Sequence, residues 1–152
     1  MYRITISWYD RAMAELADED YRRLLEFRDG VRRYIHHLEV QAGRLGITPA
    51  QHQILLAIRG HAGPKPPSIR DLSTHMLLRH HSMVELVNRA EAAGLVRREP
   101  DPDDHRVVRV TLTALGTAKL HDLSAAHLDE LSRLIPRLRP LLDEELYDVP
   151  LK

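Results

Sequence analysis

The chain has 152 residues, 43% of them apolar, which suits one domain with a real core and excludes a disordered polypeptide. Lys and Arg total 22 and Asp and Glu total 22, so any affinity for nucleic acid must come from local placement of charge. Cysteine is absent, which excludes disulfides, thiolate zinc sites and cysteine redox sensing.

The opening stretch, MYRITISWYDRAMAEL, lacks the pattern of a secretory signal, and no apolar run approaches the roughly 18 residues of a membrane span. A cytoplasmic location is the expectation. From Asp10 to about Gly43, Leu16, Tyr21, Leu24, Phe27, Val31, Ile35, Leu38 and Ala42 recur with a helical period; Asp18, Glu19 and Asp20 could begin a second helix after a short break. So long a helix needs a covering surface, either its own domain or a second subunit. Thr48-Pro49 predicts the next start, with threonine as cap, proline in the first helical position and Gln51 placed for a capping box. Ile54, Leu55 and Ile58 form its buried face, and Gly63-Pro64-Lys65-Pro66-Pro67 is a loop.

Ser68 caps a short helix carrying Ile69, Leu72 and Met76. After Leu77-Leu78-Arg79 another helix runs from His80 to about Ala93, with Gly94 as its C-cap. Two short helices on a tight connection are a helix-turn-helix, although this connection lacks the glycine often found there. Leu95 to Glu99 and Val107 to Leu112 read as strands around the turn Asp101-Pro102-Asp103-Asp104, a ribbon too small to stand alone. Thr113 then caps a leucine-bearing helix toward Leu134, which Pro136 interrupts or ends, and Arg137 to about Tyr147 reads as a further helical piece. The expected fold is mainly α with a small β-hairpin wing: a winged helix-turn-helix at 46–113, with long helical dimerisation regions at 1–45 and 114–152.

The stretch from Leu86 to Arg98, the wing Asp101-Pro102-Asp103-Asp104-His105-Arg106 and the junction from Val110 to Gly116 together resemble the MarR family of bacterial regulators. The resemblance runs from about Leu45 to Gly116 and extends loosely over the flanking helices. It implies a homodimer on double-stranded, pseudo-palindromic DNA, often a repressor released by a small aromatic or phenolic effector bound between dimer helices and DNA-binding lobes. It also implies that the helix from His80 is the recognition helix, and that Asp104 holds Arg106 for the minor groove. The sequence departs from many relatives at Glu85, where a carboxylate near phosphates costs affinity unless it accepts from cytosine or pairs with an arginine.

Met83, Val84, Leu86, Val87 and Ala90 cannot all face DNA, which leaves His80, His81, Ser82, Glu85, Asn88 and Arg89 toward the groove. Arg79 and Arg89 suit phosphates, as does Ser68; Arg97, Arg98, Arg106 and Arg109 cluster on the ribbon, with Asp104 and His105 at its tip. Between Arg59 and Thr111 nine basic side chains face seven acidic ones, so salt-sensitive but modest nonspecific binding is expected. Trp8, Tyr9, Tyr34 and His37, with Tyr21, Phe27 and Arg32, are candidates for an effector pocket, packing at an interface being the alternative for each.

No metal or cofactor is expected: the ten histidines show no chelating spacing, and adjacent pairs such as His36-His37 diverge by about 100° on a helix. No nucleophile-base set or telling carboxylate pair points to an enzyme. The competing readings are a winged-helix protein-interaction module that has lost DNA binding, which Glu85 and the neutral charge favour, and a metal-responsive regulator.

Overall fold

The computed structural model describes residues 17–139. Seven elements follow one another: α1 (Asp18–Arg44), α2 (Pro49–Arg59), α3 (Ile69–His75), α4 (His80–Ala92), β1 (Val96–Pro100), β2 (Val108–Leu112) and α5 (Ala114–Leu138). The described residues divide into two compact units, one spanning 36–130 and the other formed by 17–35 and 131–139.

In the second unit α1 begins at Asp18, with Asp18, Glu19 and Asp20 in its first turn, where carboxylates favour the positive end of the helix dipole. The expected helix upstream, from Asp10, lies outside the described residues. The unit closes tightly at Gly30, where a Cβ would stand 2.7 Å from Leu138 Cδ2 and 3.5 Å from Leu134 Cδ1. Pro136 does not end α5 where it stands; the helix runs on two residues to Leu138. A proline takes helical φ itself and disturbs only the turn before it, so a short C-terminal remnant survives. The further helix expected up to Tyr147 falls almost wholly outside the described residues.

The unit at 36–130 is the winged helix. Its core brings Ile54 and Leu55 of α2, Leu72 of α3, Met83, Val87 and Ala90 of α4, Val96 and Val110 of the strands, and Leu120 and Leu123 of α5 to almost complete burial. Each buried leucine, isoleucine, valine or methionine among them stabilises the fold by about 1.5–3 kcal/mol before chain entropy is counted. Thr48 caps α2 as the sequence predicts: its hydroxyl accepts from Gln51 N at 3.2 Å, and Gln51 Oε1 accepts from Thr48 N at 2.9 Å. Ser68 and Asp71 repeat the device on α3.

α1, α3 and α4 all end in one hydrogen-bond pattern, in which the residue after the cap turns left-handed and two N–H groups reach back to helix carbonyls. Gly46 (φ 71°) and Gly94 (φ 70°) take that position after α1 and α4. After α3 it falls to Leu77, at φ 54°, where Leu78 N donates to Ser73 O at 3.0 Å and Ser73 Oγ to Leu78 O at 2.6 Å. The helix-turn-helix connection thus makes the left-handed turn without the glycine. A branched side chain there costs about 1–2 kcal/mol, and Leu77 is 91% exposed, so little packing offsets it. Leu77→Gly is therefore expected to stabilise the protein by about 0.5–1 kcal/mol after the entropy of a freer unfolded chain is subtracted. A thermal melt that falls instead of rising would show that Leu77 makes a contact outside this chain.

β1 and β2 pair antiparallel, Val96 opposite Leu112 and Pro100 opposite Val108, each strand starting one residue later than the sequence suggests. The segment before α3 adds a partial third strand: Ser68 bridges Arg109, and Val110 N donates to Pro67 O at 2.9 Å. That strand is too short to show as alternation in sequence, yet it stops the ribbon from standing alone.

His52 of α2 and His127 of α5 meet edge to face inside the same unit, with ring centroids 4.3 Å apart. His52 is buried and its Nε2 has no hydrogen-bond partner among the described residues. Burial, and then the neighbouring His127, push the His52 imidazole down to about 4. Because that folded-state value lies below the ordinary 6.5, the unfolded chain binds the proton more readily. Stability is full above about pH 6.5 and is lost as pH falls from there toward 4. Urea melts of His52→Leu and the parent between pH 7 and 4 are expected to diverge, the variant losing less. Parallel curves would remove the assignment.

Candidate nucleic-acid interface

The burial pattern of α4 follows its sequence. Met83, Leu86, Val87 and Ala90 are buried and Val84 is half-buried, so one face is locked into the unit. His80, His81, Glu85, Asn88 and Arg89 are exposed, as is Arg79 before the helix, and Ser82 is half-buried. Among the described residues no ion pair reaches Glu85, not even from Arg89 one turn later. Its charge is presented bare.

The hairpin tip is built around one carboxylate. Asp101 is 2% exposed, and Asp103 N (2.8 Å) and Asp104 N (3.2 Å) donate to its Oδ1. Arg109 Nε donates to its Oδ2 at 2.6 Å, and Lys65 Nζ reaches Oδ1 at 3.1 Å from the proline-rich loop. The Asp103 backbone N–H and then the Arg109 guanidinium hold this carboxyl far below the usual range, so it stays ionised. Lys65 also pairs with Asp103, which raises the Lys65 ammonium above its ordinary value.

On this base Asp104 holds Arg106. Arg106 Nε donates to Asp104 Oδ1 at 2.9 Å and Nη2 to Oδ2 at 3.0 Å, a two-pronged pair, while the arginine side chain is 90% exposed. The Arg106 side chain holds the Asp104 carboxyl below its usual range, and Asp104 raises Arg106 in return. Asp101, Asp103 and Asp104 thus each have a basic partner, in Arg109, Lys65 and Arg106 respectively.

The remaining arginines on the ribbon do not form one basic cluster. Arg109 turns inward, its Nη1 donating to Pro66 O at 3.0 Å and lying 3.5 Å from Asp71 Oδ2. Arg98 folds back on α4: its Nε donates to Glu91 Oε2 at 2.9 Å and its Nη1 to Asn88 Oδ1 at 2.8 Å. Asn88 therefore already accepts from the wing. Arg97 stays outward, paired with Glu99 and Thr111, and His105 is exposed beside Arg106. Ser68 is buried, with its hydroxyl donating to Asp71 Oδ2 at 2.8 Å as part of the α3 cap.

Sequence reasoning passed over Arg70, an exposed arginine in the first turn of α3; its position right after a helix cap was the signal. Of the effector-pocket candidates, Tyr34 and His37 are half-buried on α1, and Trp8 and Tyr9 lie outside the described residues. Among the described residues no three histidine, aspartate or glutamate side chains converge as metal ligands would, and no helix is long and apolar enough to cross a membrane.

Residues 45–107 match the family model described as the MarR family. Among solved structures, the chain is similar to AbsC, a MarR family transcriptional regulator from Streptomyces coelicolor, at 24% identity and a TM-score of 0.69, covering 89% of each chain. It is similar to wild-type MarR from E. coli at 24% identity and a TM-score of 0.61, over 79% of this chain and 85% of that one. It is also similar to the protein in an S. aureus MepR-DNA complex, at 16% identity and a TM-score of 0.65, over 88% and 90%. No curated protein matches significantly.

Proposed function

We propose that the chain is a homodimeric transcription regulator of the MarR type, not an enzyme, that binds specific double-stranded DNA; the match of residues 45–107 to the MarR family model supports this reading. The observation that carries this reading is Arg106: a 90% exposed guanidinium, oriented by Asp104 on a wing that is itself pinned through Asp101. A preset, outward arginine suits the concentrated negative potential of a narrow minor groove. Beside it, α4 offers His80, His81, Ser82 and Glu85 to base edges, with Arg79, Arg89 and Arg70 available to phosphates.

A dimer is supported by apolar side chains that one chain leaves in solvent. Tyr21, Leu24 and Leu25 of α1 and Leu128 and Ile135 of α5 are 56% to 69% exposed. Two-fold symmetry would place two recognition helices about 34 Å apart, one helical turn, on a pseudo-palindrome. Repression, release by a small aromatic or phenolic effector, and a cytoplasmic location complete the proposal.

The test is fluorescence anisotropy on duplexes from the intergenic DNA upstream of the protein's own gene, with sedimentation to fix the oligomer. Binding that is saturable, selective over a scrambled duplex and weaker at higher salt is the expected outcome. Equal binding of specific and scrambled DNA, or a monomer at high concentration, would defeat the proposal. The bare Glu85 keeps one rival in view, a protein-binding winged helix. Glu85→Gln separates the two: on DNA it is expected to raise nonspecific affinity several-fold by removing a charge that faces phosphates. No change would favour the rival.

A further inference from the structure

A cavity of about 670 Å³ opens on the winged-helix unit between the end of α2 and α3, well within the size range of small-molecule sites. Leu56, Ala57, Leu72 and Met76 give it apolar walls, and Leu56 and Leu77 stay 48% and 91% exposed at its opening. Asp71, His61, His75 and the neutral Gln53 supply the polar side chains, and neither lysine nor arginine is among the lining residues. Neither Tyr34 nor His37 is among its lining residues.

Asp71 is the one permanently charged group in the lining, and its contacts are one-sided. Ser68 N and Ser68 Oγ both donate to Oδ2 at 2.8 Å, and these two bonds hold the carboxyl below its usual range. Arg109 Nη1 is near the same oxygen but at 3.5 Å, a looser contact than the 2.6 Å bond from its Nε to Asp101. An ionised carboxylate with no lining cation repels an anionic ligand and attracts a protonated nitrogen.

We propose that this cavity binds a small organic cation, an apolar body bearing an amine or amidine placed against Asp71, and that binding weakens the wing's hold on DNA. The coupling path is physical and short. Asp71 touches Arg109, Arg109 donates to Asp101, and Asp101 fixes the backbone N–H groups of Asp103 and Asp104, whose carboxylate orients Arg106. A cation on Asp71 competes with the 3.5 Å Arg109 contact, the loosest link in that chain. By reciprocity, DNA that fixes the wing lowers affinity for the cation by the same factor. The regulatory half rests on the DNA-binding reading above; cation binding by itself does not.

Benzamidine and benzoate make a matched pair of probes, one ring with opposite charge. Titrated at millimolar concentration into the full-length protein, benzamidine is expected to shift the amide resonances of Gly60, His61, Asp71 and His75, with benzoate inert. Ala57→Leu, which fills the cavity without touching a charged group, is expected to abolish those shifts. Asp71→Asn, which keeps a capping oxygen, is expected to erase the preference for the cation. On the specific duplex, saturating benzamidine is expected to lower affinity about fivefold or more.

Equal or stronger binding of benzoate, no binding of either probe, or shifts that survive Ala57→Leu would each overturn the cation site. Bound benzamidine with unchanged duplex affinity would overturn the coupling. A protein that binds no duplex at all fails the functional reading alone, since the resonance titration needs no DNA.

Discussion

Replacing Arg106 by alanine is expected to weaken binding to the specific duplex by about tenfold or more, while leaving the fold and its melting temperature nearly unchanged. The side chain is 90% exposed and, among the described residues, bonds only Asp104, so its loss removes no core contact. A surface pair of this kind adds little to stability. Its value lies in what the pair prevents: an unheld arginine samples many rotamers, and ordering one on binding costs about 0.5–1.5 kcal/mol. Asp104→Ala is accordingly expected to cost less than Arg106→Ala, because the charge remains and only its orientation is lost. The two changes together should cost no more than Arg106→Ala alone. Anisotropy titrations of the four proteins at several salt concentrations check this, with the salt slope falling by about one for the arginine variants. An Arg106→Ala protein that binds the specific duplex as the parent does would remove the wing from the interface.

Much of this arrangement was legible in the residues because local rules and global fold agree there. Thr48-Pro49 with Gln51, Ser68 before Ile69, and Gly94 after α4 mark helix ends by hydrogen bonds that a few neighbours decide, and the structure makes those bonds. The buried and exposed faces of α4 followed from period alone. What escaped depends on partners far along the chain. Arg109 read as one more wing arginine, yet Asp101 and the Pro66 carbonyl, 43 residues upstream, draw it inside. Arg98 and Asn88 read as two independent DNA-facing groups and instead bond each other. Lys65 sat in a segment read only as a loop, and it pairs with two wing carboxylates. Leu77 broke the glycine rule of its turn, where the cap hydrogen bonds override the preference of the side chain. The cavity beside Asp71 has no sequence signature at all, since a void is set by how helices pack.

Gly116→Ala is the substitution expected to damage the fold most, and the reason is a single distance. A Cβ built at Gly116 would lie 2.0 Å from Leu95 O, 3.0 Å from Leu95 C and 3.3 Å from Leu95 Cα. All three are backbone atoms, and none can yield as the end of a flexible side chain would. Leu95 is tied down on both sides, since its N–H donates to Ala90 O at 2.9 Å and its carbonyl accepts from Thr113 N at 3.1 Å. Gly116 is held too, its N–H donating to Thr113 Oγ1 at 3.0 Å. Alanine would gain about 1 kcal/mol of helix propensity, but the clash forces α5 away from the start of β1 against these bonds. Overpacking of this kind costs about 1–3 kcal/mol and more where backbone must move, so a net loss of about 2–4 kcal/mol is expected. Gly43 supplies the control: it sits in α1 with nothing within 4 Å of a built Cβ, so the same exchange there should stabilise by about 0.5–1 kcal/mol. Urea unfolding of the two variants checks the pair of signs. A Gly116→Ala protein as stable as the parent would mean that the wing and α5 meet less closely than the fold requires.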